Sequence, residues 1–193
     1  MKTQNQTMLS ENTLTSRPTD IIAGFPVRPG FFELNGATPL SNGVNFTAHT
    51  RHGTSCELLL FHSGEEEPFA VLPFPNACRI GDVYSMIVMG LDIEDLEYGY
   101  RIDGPYEPEK GHIFDKTKVL LDPYAKAVAG QREWGQQKIG SYHARVVRDS
   151  FDWEDMPQST RKISDLIIYE LHVRGFTQDS SSGVMHGNLC RSS

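Results

Sequence analysis

An alternating stretch stands near the middle of the chain and reads Tyr98-Gly99-Tyr100-Arg101-Ile102-Asp103-Gly104-Pro105. Its large apolar side chains recur at every second position, which is the period of a β-strand with one buried face. The Gly-Pro pair that follows predicts a turn, because both residues interrupt regular structure. The stretch therefore predicts a strand that ends near Asp103.

Similar short segments precede this strand. They are rich in apolar and β-branched residues, and clusters of Gly, Pro, Asn and Ser separate them. The segments are residues 44–48, 58–61 and 84–88. Several short strands with turns between them are typical of an antiparallel β-sandwich. The sequence therefore predicts a mainly β fold with a sandwich over residues 22–110.

The regions on either side of the predicted sandwich differ from it in composition. Residues 1–21 are rich in Thr, Asn, Gln and Ser, which predicts a disordered polar tail. Residues 111–163 carry many charges, several Pro and Gly, and few sustained apolar runs. This second composition predicts an extended connector.

The last apolar run is nearly continuous rather than alternating. Residues 166–173 read Leu-Ile-Ile-Tyr-Glu-Leu-His-Val, and a run that is apolar on both faces fits a buried parallel strand. Such a strand needs parallel neighbours and crossover helices, and the remaining stretch of about twenty residues is too short for one βαβ unit. We therefore interpret residues 164–193 as the truncated start of a larger α/β domain, of which this chain is a fragment.

Charge and composition exclude several classes of function. The 193-residue chain has a formal net charge of −7, which disfavours nucleic-acid binding because that function needs a basic face. It contains no apolar run of about 18 residues, so we expect no membrane partner. The polar N-terminus and three widely spaced cysteines predict a cytoplasmic protein without disulfides. No zinc-type spacing and no glycine-rich phosphate loop occur, so we predict no metal and no cofactor.

The order of the motifs resembles that of one known group of proteins. The matching segments are residues 36–47, 57–61, 98–106, 111–115, 120–126, 151–155, 167–177 and 181–184. Taken in this order, they resemble the N-terminal part of isoamylases and glycogen debranching enzymes of glycoside hydrolase family 13. The resemblance covers about residues 22–186, and its last long segment resembles the first barrel strand of the α-amylase superfamily.

The resemblance implies an immunoglobulin-like, family-48 carbohydrate-binding β-sandwich, followed by the connector and the first strand of an incomplete (β/α)₈ barrel. The family hydrolyses α-1,6 branch linkages in glycogen or starch-like glucans, with paired carboxyl groups on later barrel strands. None of those groups maps onto this chain, so we predict no catalytic residue here and no hydrolysis by this chain alone. Two alternatives stay open. One is a non-catalytic module that binds α-glucan or another partner, and the other is a relative with glucan-branching or trehalose-releasing chemistry.

The resemblance also suggests substrate-binding residues. His172 and Arg174 stand near the end of the predicted barrel strand, where barrel active sites form, so they are candidates within a complete barrel. Tyr84 and Tyr106 are candidates within the sandwich, because aromatic rings stack on the apolar faces of sugars. The expected partner is an α-glucan such as glycogen, amylopectin or a malto-oligosaccharide. We also expect self-association through the unpaired barrel strand.

Overall fold

Strand β9, Leu96–Asp103, confirms the strand predicted from the alternating stretch and lies at the centre of a five-stranded sheet. The computed structural model describes residues 17–130, 142–148, 152, 161–179, 181 and 183. It divides the chain into two units, Met1–Ser150 and Phe151–Ser193. The regular structure described in the first unit is almost entirely β-strand.

The first sheet is antiparallel, with the strand order β1-β2-β8-β4-β3 and a short strand, β7, also paired with β8. Its strands are β1 Asp20–Ile22, β2 Phe25–Pro29, β3 Gly36–Pro39, β4 Gly43–His49, β7 Arg79–Ile80 and β8 Val83–Met89. The longest pairing in this sheet joins β4 to β8, from Gly43 opposite Met89 to His49 opposite Val83.

The second sheet is also antiparallel and has the order β12-β13-β9-β5-β6. Besides β9, its strands are β5 Ser55–His62, β6 Ala70–Pro73, β12 Ala127–Ala129 and β13 His143–Arg145. A separate hairpin consists of β10 Tyr106–Glu107 and β11 His112–Ile113. Two turns of 3₁₀-helix, Asn76–Cys78 and Pro108–Lys110, complete the regular structure described in this unit.

The hydrophobic core lies between the two sheets. Phe46 on β4 and Tyr98 on β9 meet edge to face, with their ring centroids 5.1 Å apart. Val44, Leu58 and Leu60 are completely buried in the same cluster. Burial of each such aliphatic side chain contributes roughly 1.5–3 kcal/mol, so this cluster holds the sandwich together. The sandwich predicted from the sequence is confirmed.

Strand β4 departs from the predicted alternation, because its polar side chains are buried too. The Phe31 backbone N–H donates to Asn45 Oδ1 at 2.8 Å, and Thr47 Oγ1 lies 2.7 Å from Ser85 Oγ. These hydrogen bonds satisfy polar groups that would otherwise be costly to bury. The outer face of β4 is therefore covered at Asn45 and Thr47, whereas His49 at the end of the strand is exposed.

The described sandwich extends beyond the predicted boundary at residue 110. Strands β12 and β13 come from the predicted connector, and β13 pairs with the edge of β9. His143 on β13 is buried, with its Nδ1 3.1 Å from Glu97 Oε2 and its ring stacked on Phe61 at 3.8 Å. Added strands cover an edge that would otherwise expose unpaired backbone groups.

Regular structure begins before the predicted end of the disordered tail at residue 21. Residues 1–16 lie outside the described residues, whereas Asp20 and Ile21 belong to strand β1. Their backbone pairs with Val27 and Pro26 on β2. Part of the predicted tail is therefore an edge strand.

The second unit does not contain the predicted barrel strand in its described part. Residues 166–172 form no strand, and Ile167 is 95% exposed. They lie between a 3₁₀ turn, Ile163–Asp165, and a one-turn helix, α1 Val173–Phe176. A parallel strand takes its hydrogen bonds from neighbouring strands, and the described residues of this unit supply none. No helix among the described residues has the length and apolar character needed to cross a membrane.

Candidate functional site

The hairpin of β10 and β11 follows β9 directly and exposes a tyrosine. Gly104 is required at the start of this turn, because a Cβ there would lie 2.6 Å from a ring atom of Phe114. Gly111 closes the hairpin in the left-handed region at a φ of 81°. Tyr106 and Ile113 stand opposite each other in the register, so the hairpin presents an aromatic and an aliphatic side chain together.

The chain after the hairpin returns to the edge of β9. The backbones of Tyr100 and Leu120 exchange two hydrogen bonds, with N–O distances of 3.0 and 2.7 Å. A Cβ at Gly99 would lie 2.6 Å from Val119 Cγ1, so a larger residue there would force the Val119 side chain to shift. The returning segment is thereby held against the second sheet.

A buried carboxyl group anchors the end of this segment. Asp122 Oδ2 accepts a hydrogen bond from the Tyr98 hydroxyl at 2.7 Å, and Oδ1 accepts one from the Tyr124 backbone N–H at 2.8 Å. Burial raises the pKa of Asp122, and these two hydrogen bonds oppose the rise. Burial and the Asp122 charge raise the pKa of Tyr98, so its hydroxyl remains a donor at neutral pH. The anchor thereby links the backbone at Tyr124 to Tyr98 on β9.

These elements create an exposed surface, here called the connector face. It comprises Tyr106, Ile113, Leu120, Leu121 and Tyr124, all of them large side chains that remain solvent-exposed. Tyr106 is 71% exposed and Tyr124 is 54% exposed. A cavity of about 370 Å³ lies beside Ile113 and Leu120, and another of about 230 Å³ lies beside Leu120, Leu121 and Tyr124.

The connector face combines aromatic rings with a few polar groups. Asp115 and Lys118 line the larger cavity, with 3.6 Å between Asp115 Oδ2 and Lys118 Nζ. Hydrogen bonds from Thr117 lower the pKa of Asp115, so this carboxylate is ionised at neutral pH. Exposed rings beside hydrogen-bonding groups can stack on a sugar and bind its hydroxyls. The described residues contain no group of three side chains suited to a metal ion.

The structure separates the two tyrosines that the sequence suggested as sugar-binding residues. Tyr106 is exposed on the connector face, but Tyr84 on β8 is only 2% exposed. The Tyr84 ring packs edge to face against Phe74, and the Arg79 guanidinium lies 4.8 Å from its centroid. Because neighbouring side chains enclose it, Tyr84 belongs to the core and presents no ring face to a sugar.

The other candidate residues lie in the second unit or outside the described residues. His172 is exposed, and its Nδ1 accepts a hydrogen bond from the Gly175 backbone N–H at 3.1 Å. Arg174 lies within α1. The two tryptophans of the chain, Trp134 and Trp153, lie outside the described residues. His172 and Arg174 therefore belong to the second unit, whereas Tyr106 belongs to the first.

Sequence reasoning missed most of the connector face. Tyr124, Leu121 and Ile113 were not among the predicted site residues, because they lie in a region interpreted only as a connector. One signal was present: an apolar pair directly before the Asp122-Pro123 turn. An apolar pair in an otherwise polar segment indicates either a buried contact or an exposed binding surface.

Comparison with known proteins agrees with this architecture. Residues 35–125 match the model of carbohydrate-binding module 48, described as the isoamylase N-terminal domain. The chain is 35% identical over 178 residues to the chloroplastic isoamylase SU1 of Zea mays, covering 86% of this chain and 22% of the relative. It is 35% identical over 156 residues to a glycogen debranching enzyme of Salmonella typhi, covering 74% of this chain and 23% of the relative. The chain therefore spans less than a quarter of the length of these relatives.

Solved structures share the fold. A pullulanase from Paenibacillus barengoltzii, determined in complex with maltohexaose and alpha-cyclodextrin, superposes with a TM-score of 0.55 at 21% identity, covering 80% of this chain and 22% of that one. A type I pullulanase from Bacillus subtilis, determined with maltose, gives a TM-score of 0.51 at 22% identity, with 80% and 19% of the two chains covered. With its two-sheet sandwich and these sequence matches, the chain contains a carbohydrate-binding module 48 domain and is a homologue of the N-terminal part of isoamylases and glycogen debranching enzymes.

Proposed function

We propose that this chain is the glucan-recognising N-terminal part of a debranching hydrolase that acts on α-1,6 linkages in glycogen or starch-like glucans. The observation that carries the proposal is the sequence match, 35% identity over 178 residues to an isoamylase, across a chain with a carbohydrate-binding module 48 domain. The exposed connector face supports it, because this face offers rings and polar groups of the kind that recognise sugars.

The proposed ligand is an α-1,4-linked glucan segment. Tyr106 and Tyr124 supply exposed rings, and the apolar C–H faces of glucose stack on rings of this kind. A neutral ligand also suits a chain of net charge −7, which repels anions. The pullulanase of similar fold was determined with maltohexaose, which is consistent with this choice.

We propose that hydrolysis needs carboxyl groups that this chain does not supply. Glycosidases of this class use two carboxyl groups on either side of the bond, and in a barrel these groups come from the ends of several strands. His172 and Arg174 would contribute to substrate binding only next to those strands. We expect this chain alone to bind glucan without releasing reducing ends.

A reducing compartment, the cytoplasm, is the proposed location. Cys56 and Cys78 are free thiols buried in the sandwich, and burial raises the pKa of each, to about 12 and about 11 respectively. Such thiols stay protonated at neutral pH and are therefore poor nucleophiles for disulfide formation. Free buried thiols are usual in proteins of reducing compartments.

Affinity electrophoresis in gels that contain glycogen tests the proposal. We expect glycogen to slow the migration of the chain, and we expect Tyr106→Ala to weaken the apparent affinity about tenfold through the loss of one stacking ring. Phe176→Ala is the matched control, since it removes an exposed aromatic ring from the second unit outside residues 166–169. Migration unaffected by glycogen would contradict glucan binding, and release of reducing ends by the purified chain would contradict the absence of catalysis.

A further inference from the structure

A second cavity lies at one end of the sandwich and is here called the loop-end pocket. It has a volume of about 230 Å³. Its lining comes from β2, from the end of β5 and the loop that follows it, and from the loop between β8 and β9 together with the start of β9. The residues used below are Phe25, His62, Phe69, Asp92 and Asp95. Sites for drug-sized ligands usually measure roughly 300–1,000 Å³, so this smaller volume suits about one hexose ring.

A stack of rings forms one wall of the pocket. The His62 imidazole stacks on Phe69, with centroids 4.4 Å apart and 29° between the planes. Phe25 packs behind Phe69 at 6.2 Å in a tilted arrangement. Phe69 nevertheless remains 41% exposed. Three rings from separate strands and loops thus converge on one solvent-accessible wall, and this wall has the apolar character that sugar rings require.

Hydrogen-bond acceptors stand beside the rings. Asp95 Oδ2 lies 2.9 Å from His62 Nδ1, and Asp95 Oδ1 accepts the Ser63 backbone N–H at 3.1 Å. These contacts lower the pKa of Asp95, so the group remains an ionised acceptor. Asp92 also lines the pocket and is exposed. Carboxylates accept hydrogen bonds from sugar hydroxyls and repel phosphate groups, which makes a neutral sugar the fitting ligand.

Hydrogen bonds hold the loop between β5 and β6 against strands β9 and β5 before any ligand arrives. Ser63 Oγ and the Gly64 backbone N–H both donate to Glu97 Oε1, at 3.2 and 3.0 Å. The Phe69 backbone N–H donates to the Leu60 carbonyl oxygen at 2.9 Å. The ring wall and Asp95 therefore have a fixed separation, which reduces the entropy cost of binding.

We propose that the loop-end pocket binds one glucosyl unit of an α-glucan, as a contact site distinct from the connector face. Phe69 and His62 provide the stacking wall, and Asp95 and Asp92 accept hydrogen bonds from the sugar hydroxyls. The choice of an α-glucan as ligand rests on the proposed function. The position of the binding site rests on the residues of the pocket alone. It requires no covalent step.

Nuclear magnetic resonance titration of the whole chain with maltotriose tests this site. We expect backbone resonances of residues 62–69 and 92–95 to shift, and we expect Phe69→Ala to weaken the part of binding reported by these shifts about tenfold. Ile80→Ala is the matched control, because it truncates an exposed apolar side chain on β7 outside the pocket. His62→Ala provides a second test, since it removes a half-exposed ring if Phe69→Ala proves unstable.

The outcomes separate the two proposals. Shifts elsewhere in the chain, with Phe69→Ala and His62→Ala binding as well as the unmodified chain, would overturn the loop-end pocket and leave glucan binding intact. No response of any resonance to maltotriose or longer malto-oligosaccharides would overturn both proposals. Equal binding of cellotriose at residues 62–69 would overturn the assignment of an α-glucan to this pocket.

Discussion

Two apolar runs in this chain have almost the same composition and opposite structural outcomes. Leu58-Leu59-Leu60-Phe61 lies within β5 and is completely or almost completely buried. Leu166-Ile167-Ile168-Tyr169 forms no strand, and all four of its side chains are exposed. The exposed run, with two isoleucines and a tyrosine, has the higher β-propensity of the two, so propensity does not explain the difference.

The two runs differ in burial because, among the described residues, only the first has neighbouring strands. Strand β5 pairs with β9 on one edge and β6 on the other, and its side chains pack on both faces. No described residue pairs with the later run. A strand is stable only when adjacent strands satisfy its backbone and other side chains cover its faces. The comparison therefore shows that an apolar run predicts burial only where the fold supplies partners.

Truncation of one leucine in the buried run should give the largest effect. Leu60→Ala is expected to lower the free energy of unfolding by about 2–5 kcal/mol, because it removes completely buried methyl groups and leaves a cavity. Ile168→Ala in the exposed run should change it by less than about 0.5 kcal/mol. Urea denaturation followed by circular dichroism measures both changes. Equal losses in the two variants would show that the exposed run is packed in solution.

Self-association should be the next largest effect, and it concerns the exposed run. We propose that residues 166–169 of two chains meet, because contiguous exposed apolar side chains favour association. Ile167→Asp should then lower the association constant at least about tenfold, since burial of one isoleucine contributes roughly 1.5–3 kcal/mol. Sedimentation velocity over a range of concentrations measures this constant.

The matched control for association is Ile80→Asp, which places the same charge at another exposed isoleucine. It should leave the association constant unchanged. If the unmodified chain sediments as a monomer at every concentration, the proposed association through residues 166–169 is wrong.

A smaller effect is expected from pH at the anchor of the connector face. The raised pKa of Asp122 means that the folded state binds this proton more tightly than the unfolded chain, where the usual value is 3.8. This contribution to stability is therefore fully present below that value and is lost as pH rises through the raised pKa. Asp122→Asn retains an acceptor oxygen and should remove this pH dependence.

Urea midpoints measured between about pH 7 and about pH 4 for the unmodified chain and for Asp122→Asn test this prediction. Asp115→Asn is an informative control, because hydrogen bonds from Thr117 lower the pKa of Asp115 and give the opposite sign. The prediction would be contradicted if the urea midpoint of the unmodified chain increased relative to that of Asp122→Asn as pH rises.

Much of the sandwich could be predicted from the sequence, because its strands show the pattern locally. Strand β9 has clear alternation and a Gly-Pro turn, and the apolar run of β5 lies between turn signals. Strand β13 could not be predicted in the same way. It has three residues, and it lies beside β9 through backbone pairing and through the contact of His143 with Glu97, 46 residues away in the sequence.

The candidate sites were harder to predict than the fold. Tyr106 follows a Gly-Pro turn, which favours exposure, and the structure places it on the surface. Tyr84 is also a tyrosine, but it lies on a strand, and a single sequence does not show which face of that strand points into the core. The loop-end pocket combines Phe25, His62 and Phe69 from different segments, so no local pattern indicates it.

The sequence by itself determined the β character of residues 44–103, the turns between strands and the order of motifs that resembles isoamylases. These features depend on neighbouring residues in the chain, through side-chain periodicity and the backbone preferences of Gly and Pro. Only the tertiary structure decided which apolar side chains are buried, that β12 and β13 extend the second sheet, and where exposed rings converge. Those outcomes depend on contacts between residues far apart in sequence, because burial and backbone pairing are satisfied only by the assembled sheets.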